Sequence, residues 1–198
     1  MKNICRSCYF HLRNIGSIRN LLTPMATETL VHALVTSRLD TGNAMLFGVT
    51  DSLCQKLQHV QNTAARILTR TKKYQHITPV LQKLHWLPMR KSINFKTLLL
   101  VFKALRDLAP GYIHDIVTPY APTRVLRSKD SEKLIVPKAR LKTVGDRAFA
   151  SAAPSLWNAL PNELRVNSRS LSLECLKKMI KGSSLLLYMT EIKLNERL

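Results

Sequence analysis

The chain reads as a mainly α protein, a helical bundle with room for one short β-hairpin near residues 133–144. Three observations lead there. Apolar residues recur at helical rather than alternating spacing over much of residues 2–107. Threonine–proline pairs stand at two helix starts, Thr23-Pro24 and Thr78-Pro79, and at the first the threonine reads as the cap and the proline as the first helical residue, where its missing N–H is not needed. The glycines are few and far apart, so nothing in the sequence reads as a glycine-rich loop, and no internal repeat is visible.

Each element follows from its residues. Ile4, Cys8, Leu12, Ile15, Ile18 and Leu22 predict a helix over about 3–20, with Arg6, Arg13 and Arg19 expected elsewhere on its surface. From Pro24 a second helix runs through Leu30, Leu34 and Val35 to Leu39. Asp40-Thr41-Gly42-Asn43 ends it, since Gly42 and Asn43 both tolerate turn geometry. Thr50 or Asp51 caps the clearest helix, about 52–70, in which Leu53, Leu57, Val60, Ala64 and Ile67 form one apolar stripe. Lys56, Gln58, His59, Gln61, Asn62, Arg66 and Arg70 occupy its other faces. A short helix from Thr78 closes at Trp86-Leu87-Pro88. The next, about 89–107, carries Ile93, Phe95, Leu98, Leu99, Val101, Phe102 and Leu105 over most of its circumference and belongs in a core. Residues 118–145 change character: Pro119, Pro122 and Pro137 with Ser128–Ser131 predict an extended connection, in which Lys133–Val136 and Arg140–Val144 are the candidate strands. Helical pattern returns over 146–160, bent at Pro154, and a last helix is expected near 170–181 after Ser170. Trp86 and Trp157, each among leucines beside a proline, read as core anchors before base-stacking platforms. The domain reading is 1–117 as a basic helical domain, 118–145 as the connection and 146–198 as a C-terminal helical segment.

Charge is the outstanding compositional feature. Thirty-one Lys and Arg stand against 12 Asp and Glu, a net charge of +19. By quarters the balance is +3, +8, +5 and +3, so the basic focus lies in the body of the chain and not in a tail. Such an excess favours a polyanionic partner. The candidate phosphate contacts are Lys56, Arg66, Arg70, Lys72 and Lys73 around the end of the third helix. A second group, Arg124, Arg127, Lys138, Arg140 and Lys142 with Arg147, lies along the connection.

Chemistry beyond binding finds little material. Aspartates 40, 51, 107, 115, 130 and 146 are scattered, and the one close acidic pair, Asp130 and Glu132, is flanked by lysines. A nucleotidyl transferase needs clustered carboxylates for its divalent ions. No phosphate-binding glycine loop, nucleophile elbow or HExxH is present. Cys5 and Cys8 have the spacing of half a zinc site, yet no second Cys/His pair follows at a matching interval. The expectation is therefore no catalytic residues, no metal and no cofactor. The four cysteines give no disulfide framework, and the reading is a reducing compartment, nucleus or cytoplasm. No secretory leader is read at the N-terminus, and no apolar run approaches a membrane span.

Several blocks in fixed order carry a resemblance. They are Leu30-Val-His-Ala-Leu-Val-Thr-Ser-Arg-Leu-Asp40, Leu57-Gln-His-Val-Gln-Asn-Thr-Ala-Ala-Arg66, His76-Ile-Thr-Pro-Val-Leu-Gln-Lys-Leu-His-Trp-Leu-Pro88 and Phe95-Lys-Thr-Leu-Leu-Leu-Val-Phe-Lys-Ala-Leu105. Leu141–Phe149 and Ala153-Pro-Ser-Leu-Trp-Asn-Ala-Leu-Pro161 follow. Together they resemble the region downstream of the polymerase palm in LINE-type non-LTR retrotransposon reverse transcriptases, of the jockey-like and vertebrate-type clades, over about residues 2–176. The resemblance implies a thumb-like start, a C-terminal region that holds template RNA or target DNA, and a catalytic palm with its paired aspartates upstream of Met1. Thr41-Gly42 replace an aromatic and a cysteine usual there, and the pattern is left after Cys175, so that 182–198 reads as run-on sequence. The expected function is a non-catalytic nucleic-acid-binding segment with RNA or DNA as partner and no membrane. Two alternatives stand beside it: a protein-interaction module whose apolar surface packed on the palm or another protein, and a decayed open reading frame. Near-copies in the genome joined to a full polymerase would favour the retrotransposon origin over a host function.

Overall fold

The structure, a computed structural model, describes residues 2–122, 132–139, 141 and 145–166. It is mainly helical, and among the described residues there is no sheet. The helices are α1 (Lys2–Ile18), α2 (Pro24–Val31), α3 (Ser37–Asp40), α4 (Asp51–Thr69), α5 (Thr78–Lys83), α6 (Met89–Ala104), α7 (Gly111–His114), α8 (Phe149–Asn158) and α9 (Asn162–Val166). A π-helical turn, His32–Thr36, joins α2 to α3 without a break. The helix expected at 170–181 lies outside the described residues. Residues 1–92 and 93–198 form two compact units, so α6, which the sequence reading places inside a 1–117 domain, straddles them.

In the first unit α1, α2, the π turn and α4 pack around Cys8, Leu12, Ile15, Val31, Val35, Leu39, Leu57, Val60 and Ala64. Thr23 caps α2, its hydroxyl accepting from the Ala26 N–H at 3.2 Å, with Pro24 at the first position. Val31, Val35 and Leu39 are spaced by four, and a regular α-helix would rotate such residues progressively off one face. The wider π turn offsets that rotation, and all three are buried. Gly42, at φ +67°, then ends the helix in a conformation open to glycine, as the turn expectation required. Asn43 is buried and donates to the Ser92 hydroxyl at 3.1 Å.

Arg19 departs from its expected surface position. It is 8% exposed, and its guanidinium donates to the carbonyls of Leu22, Ile67 and Leu68 at 3.1–3.2 Å. The last carbonyls of α4 have no partners within the helix, and a cation there complements the negative end of the helix dipole. The polar residues Gln58 and Gln61 are likewise committed inside the unit. Gln58 accepts from the Met89 N–H at 2.8 Å, and Gln61 donates to the Leu87 carbonyl at 2.9 Å. They anchor the segment that Pro88 introduces and satisfy an otherwise orphan donor at the start of α6.

In the second unit Trp157 and Asn158 of α8 hold the segment around Leu134. Trp157 is fully buried, as expected of an anchor, and its Nε1–H donates to the Glu132 carbonyl at 3.0 Å. Beside it Asn158 donates to the Leu134 carbonyl and accepts from the Leu134 N–H, both at 2.9 Å. The expected hairpin is corrected here. Lys133–Val136 is not a strand paired about Pro137; Leu134 forms a single antiparallel bridge with Pro119. On its other side an asparagine side chain stands in for the second strand. Arg140 and residues 142–144, most of the other expected strand, lie outside the described residues.

Two outcomes follow. Replacing Arg19 by alanine should cost about 1.5–3 kcal/mol in urea unfolding, the usual worth of charged hydrogen bonds lost from buried carbonyls. Lysine should recover only part of this, because an ammonium cannot fork across three carbonyls. Trp157→Phe keeps a ring but removes the N–H that the Glu132 carbonyl accepts, and should cost about 0.5–1.5 kcal/mol by the same measurement, the usual net worth of one hydrogen bond.

Candidate nucleic-acid interface

Between Asp51 and Asp107 the sequence holds no carboxylate side chain. Within residues 1–92, thirteen Lys and Arg face Glu28, Asp40 and Asp51 alone. Asp51 pairs with Arg90, and Glu28 lies 3.7 Å from His32. The positive field over α4 and the loop after it is therefore little opposed by acids of its own unit.

Helical spacing divides the surface of α4. One flank of the buried stripe carries Lys56, His59, Arg66 and Arg70; the other carries Gln58 and Gln61, committed as described. Lys56 and Arg70 are exposed, and so are Lys72, Lys73 and Tyr74 in the loop that follows. Arg66 is the exception among the candidates. It is half-buried, and its guanidinium donates to the Lys72 and Gln75 carbonyls, the latter at 2.8 Å. Its first duty is to brace the loop, and its charge reaches a phosphate only as part of that brace. The loop is closed again by Gln75, whose N–H donates to the Lys72 carbonyl at 3.1 Å while its side-chain oxygen accepts from the Lys72 N–H at 3.2 Å. Lys73 and Tyr74 sit at the tip of that turn.

Arg70 closes α4 with φ +56°, a left-handed conformation usually given to glycine. A side chain there costs about 1 kcal/mol or more, so a cation is held where glycine would be more stable. Such an outlier is the kind of local violation that clusters at functional sites.

Of the second basic group, Lys138 is exposed in the second unit, and Arg124, Arg127, Arg140 and Lys142 lie outside the described residues. Sequence reasoning missed Arg19, Gln58, Gln61 and Asn158 as scaffold residues. Tyr74 was missed too, although an aromatic beside two lysines was a signal.

Among the described residues no three His, Cys, Asp or Glu side chains gather in a group able to hold an ion. A shallow hollow is lined by Asp51, Cys54, Gln55, Gln58 and Arg90. Burial pushes the Cys54 thiol up, away from the thiolate a nucleophile needs. The Cys8 thiol is also raised, by burial first and then by Cys5, with Arg38 opposing. Among the described residues no helix is long and apolar enough to cross a membrane. No family model, curated protein or solved structure matches this chain.

The Arg70 conformation gives a two-sided outcome. Arg70→Gly should raise unfolding stability by about 1 kcal/mol. The same change should remove about one unit from the salt slope of nucleic-acid binding, provided Arg70 touches phosphate. The cysteines give a pH outcome. Their folded pKa values are raised, so the unfolded thiols ionise first. The stability associated with Cys8 and Cys54 should be fully present below about pH 8.5 and decline as pH rises beyond it, a trend removed by Cys→Ser at both positions.

Proposed function

We propose that this chain is a non-catalytic nucleic-acid-binding segment that grips the phosphate backbone of RNA or DNA through the basic flank of α4 and its following loop. We infer further that it derives from the post-palm region of a LINE-type non-LTR reverse transcriptase, where such a segment would hold template or target. The observation that carries the first reading is the carboxylate-free run from Asp51 to Asp107, folded so that Lys56, Arg70, Lys72 and Lys73 project outward. The origin rests on the ordered sequence blocks alone. Neutralising a phosphate releases condensed counterion, which makes affinity a steep function of salt and weakly dependent on sequence.

A second reading has its own observation. Tyr9, Phe10 and Ile18 of α1, with Leu21 and Met25 beyond it, are exposed apolar residues in the first unit. Clustered, they would suit a protein partner such as a polymerase palm.

The test is fluorescence anisotropy of the full chain with labelled RNA and DNA over a salt series. Log K should fall against log salt with a slope of about −0.7 to −0.9 per phosphate contact. Changing Lys56, Arg70, Lys72 and Lys73 together to alanine should flatten the slope by about three units, with the helical circular dichroism unchanged. Arg66 is left in place so that loss of the loop is not mistaken for loss of charge. An unchanged slope and affinity in this variant would move the protein-partner reading ahead. In the same preparation, nucleotide incorporation with any primer–template and divalent metal should stay at background, because the reading assigns this chain no carboxylate pair for the metals.

A further inference from the structure

Tyr74 is 79% exposed, yet the backbone that carries it is braced from three directions. Arg66 donates to the carbonyls on either side of the tip, at Lys72 and Gln75. The Gln75 N–H closes the turn onto the Lys72 carbonyl, and the Gln75 side chain takes the Lys72 N–H. A residue presented on a held turn loses little backbone freedom when it meets a ligand. Lys72 Nζ lies over the Tyr74 ring, 5.8 Å from its centroid, which leaves the other face of the ring to a flat partner. Lys73 is next to it in the turn, and Arg70 and His76 flank the loop, all exposed.

We propose that Tyr74 is a stacking platform for an unpaired base and that the ligand of this loop is a single-stranded nucleic acid. The inference rests on the phosphate-binding reading above and adds to it the class of strand. Cations alone recognise duplex and single strand alike through their phosphates. In a duplex the base faces are already stacked on each other; in a single strand they are available to an aromatic ring set among backbone-binding cations. Arg66 is a positioning residue here, acting through the turn that holds Tyr74.

The experiment measures affinity of the full chain for three probes of about 12 nucleotides: a single strand, the same strand with abasic sugars in place of its bases, and a duplex. The parent should bind the single strand about 5- to 100-fold more tightly than the abasic strand. Tyr74→Ala should abolish that preference and leave the abasic affinity and its salt slope where they were. Tyr74→Trp should keep the preference, with indole fluorescence quenched on binding. Arg66→Lys, which keeps the charge and loses the fork, should weaken the preference without changing the slope. A parent that binds all three probes with the same salt slope and no preference overturns the stacking inference and leaves the phosphate reading standing. Competition by polyglutamate equal to that of the single strand also overturns it, marking a plain anion-binding surface. A parent that binds none of the probes overturns both.

Discussion

The final turn of α4 ends in carbonyls that the helix itself cannot satisfy, and a guanidinium 48 residues earlier in the chain reaches them. Arg19 thereby locks the end of α1 against the end of α4, where the loop after Thr69 begins. Its electrostatic consequence is as important as its packing. A helix C-terminus is the wrong end for an anion, since its exposed carbonyls repel phosphate. Here Ile67 and Leu68 point their carbonyls at Arg19, and in the loop beyond the helix the carbonyls of Lys72 and Gln75 are taken by Arg66. A repulsive surface is thus screened by two cations before the exposed ones, Arg70, Lys72 and Lys73, are counted. The same residues that make the helix end stable make it approachable by a polyanion.

Much of the fold was legible because it rests on local patterns. The Leu53–Ile67 stripe, the Thr23-Pro24 start and the apolar girth of α6 each depend on spacings of a few residues, and each stands where the spacing put it. What was not legible depends on partners far off in sequence. An arginine at the end of an amphipathic helix reads as surface until its acceptors arrive from another helix. Glutamines on a polar flank read as solvated until the Leu87–Met89 segment lies across them. The run Lys133–Val136 diverges from the expected strand for a related reason: it has strand-like residues, but on one side it meets Pro119 in a single bridge and on the other a side chain, Asn158, and no alternation rule anticipates either.

The basic site was half legible. Charge counting located it, because the balance of +8 over residues 51–100 is visible in the sequence. It could not rank the cations. Arg66 and Arg70 look alike on a helical wheel, one turn apart on one flank. In the fold Arg66 spends its donors on backbone, while Arg70 is exposed at the cost of a left-handed conformation. Ranking them required knowing where the helix stops, and it stops at Arg70 itself.

That arrangement sets surface charge against stability. Like charges gathered on one face raise the free energy of the folded state by self-repulsion, and Arg70 adds strain to it. An anion at that face would relieve the first, as any ligand that binds only a folded chain stabilises it by mass action. The loop after α4 therefore lowers the stability of its own unit, and the burden falls on Arg19 and the Leu12–Leu57–Val60 core beneath it. A core built of aliphatic side chains at full burial, clamped at one end by three charged hydrogen bonds, is what allows so much uncompensated charge to sit on a unit of this size.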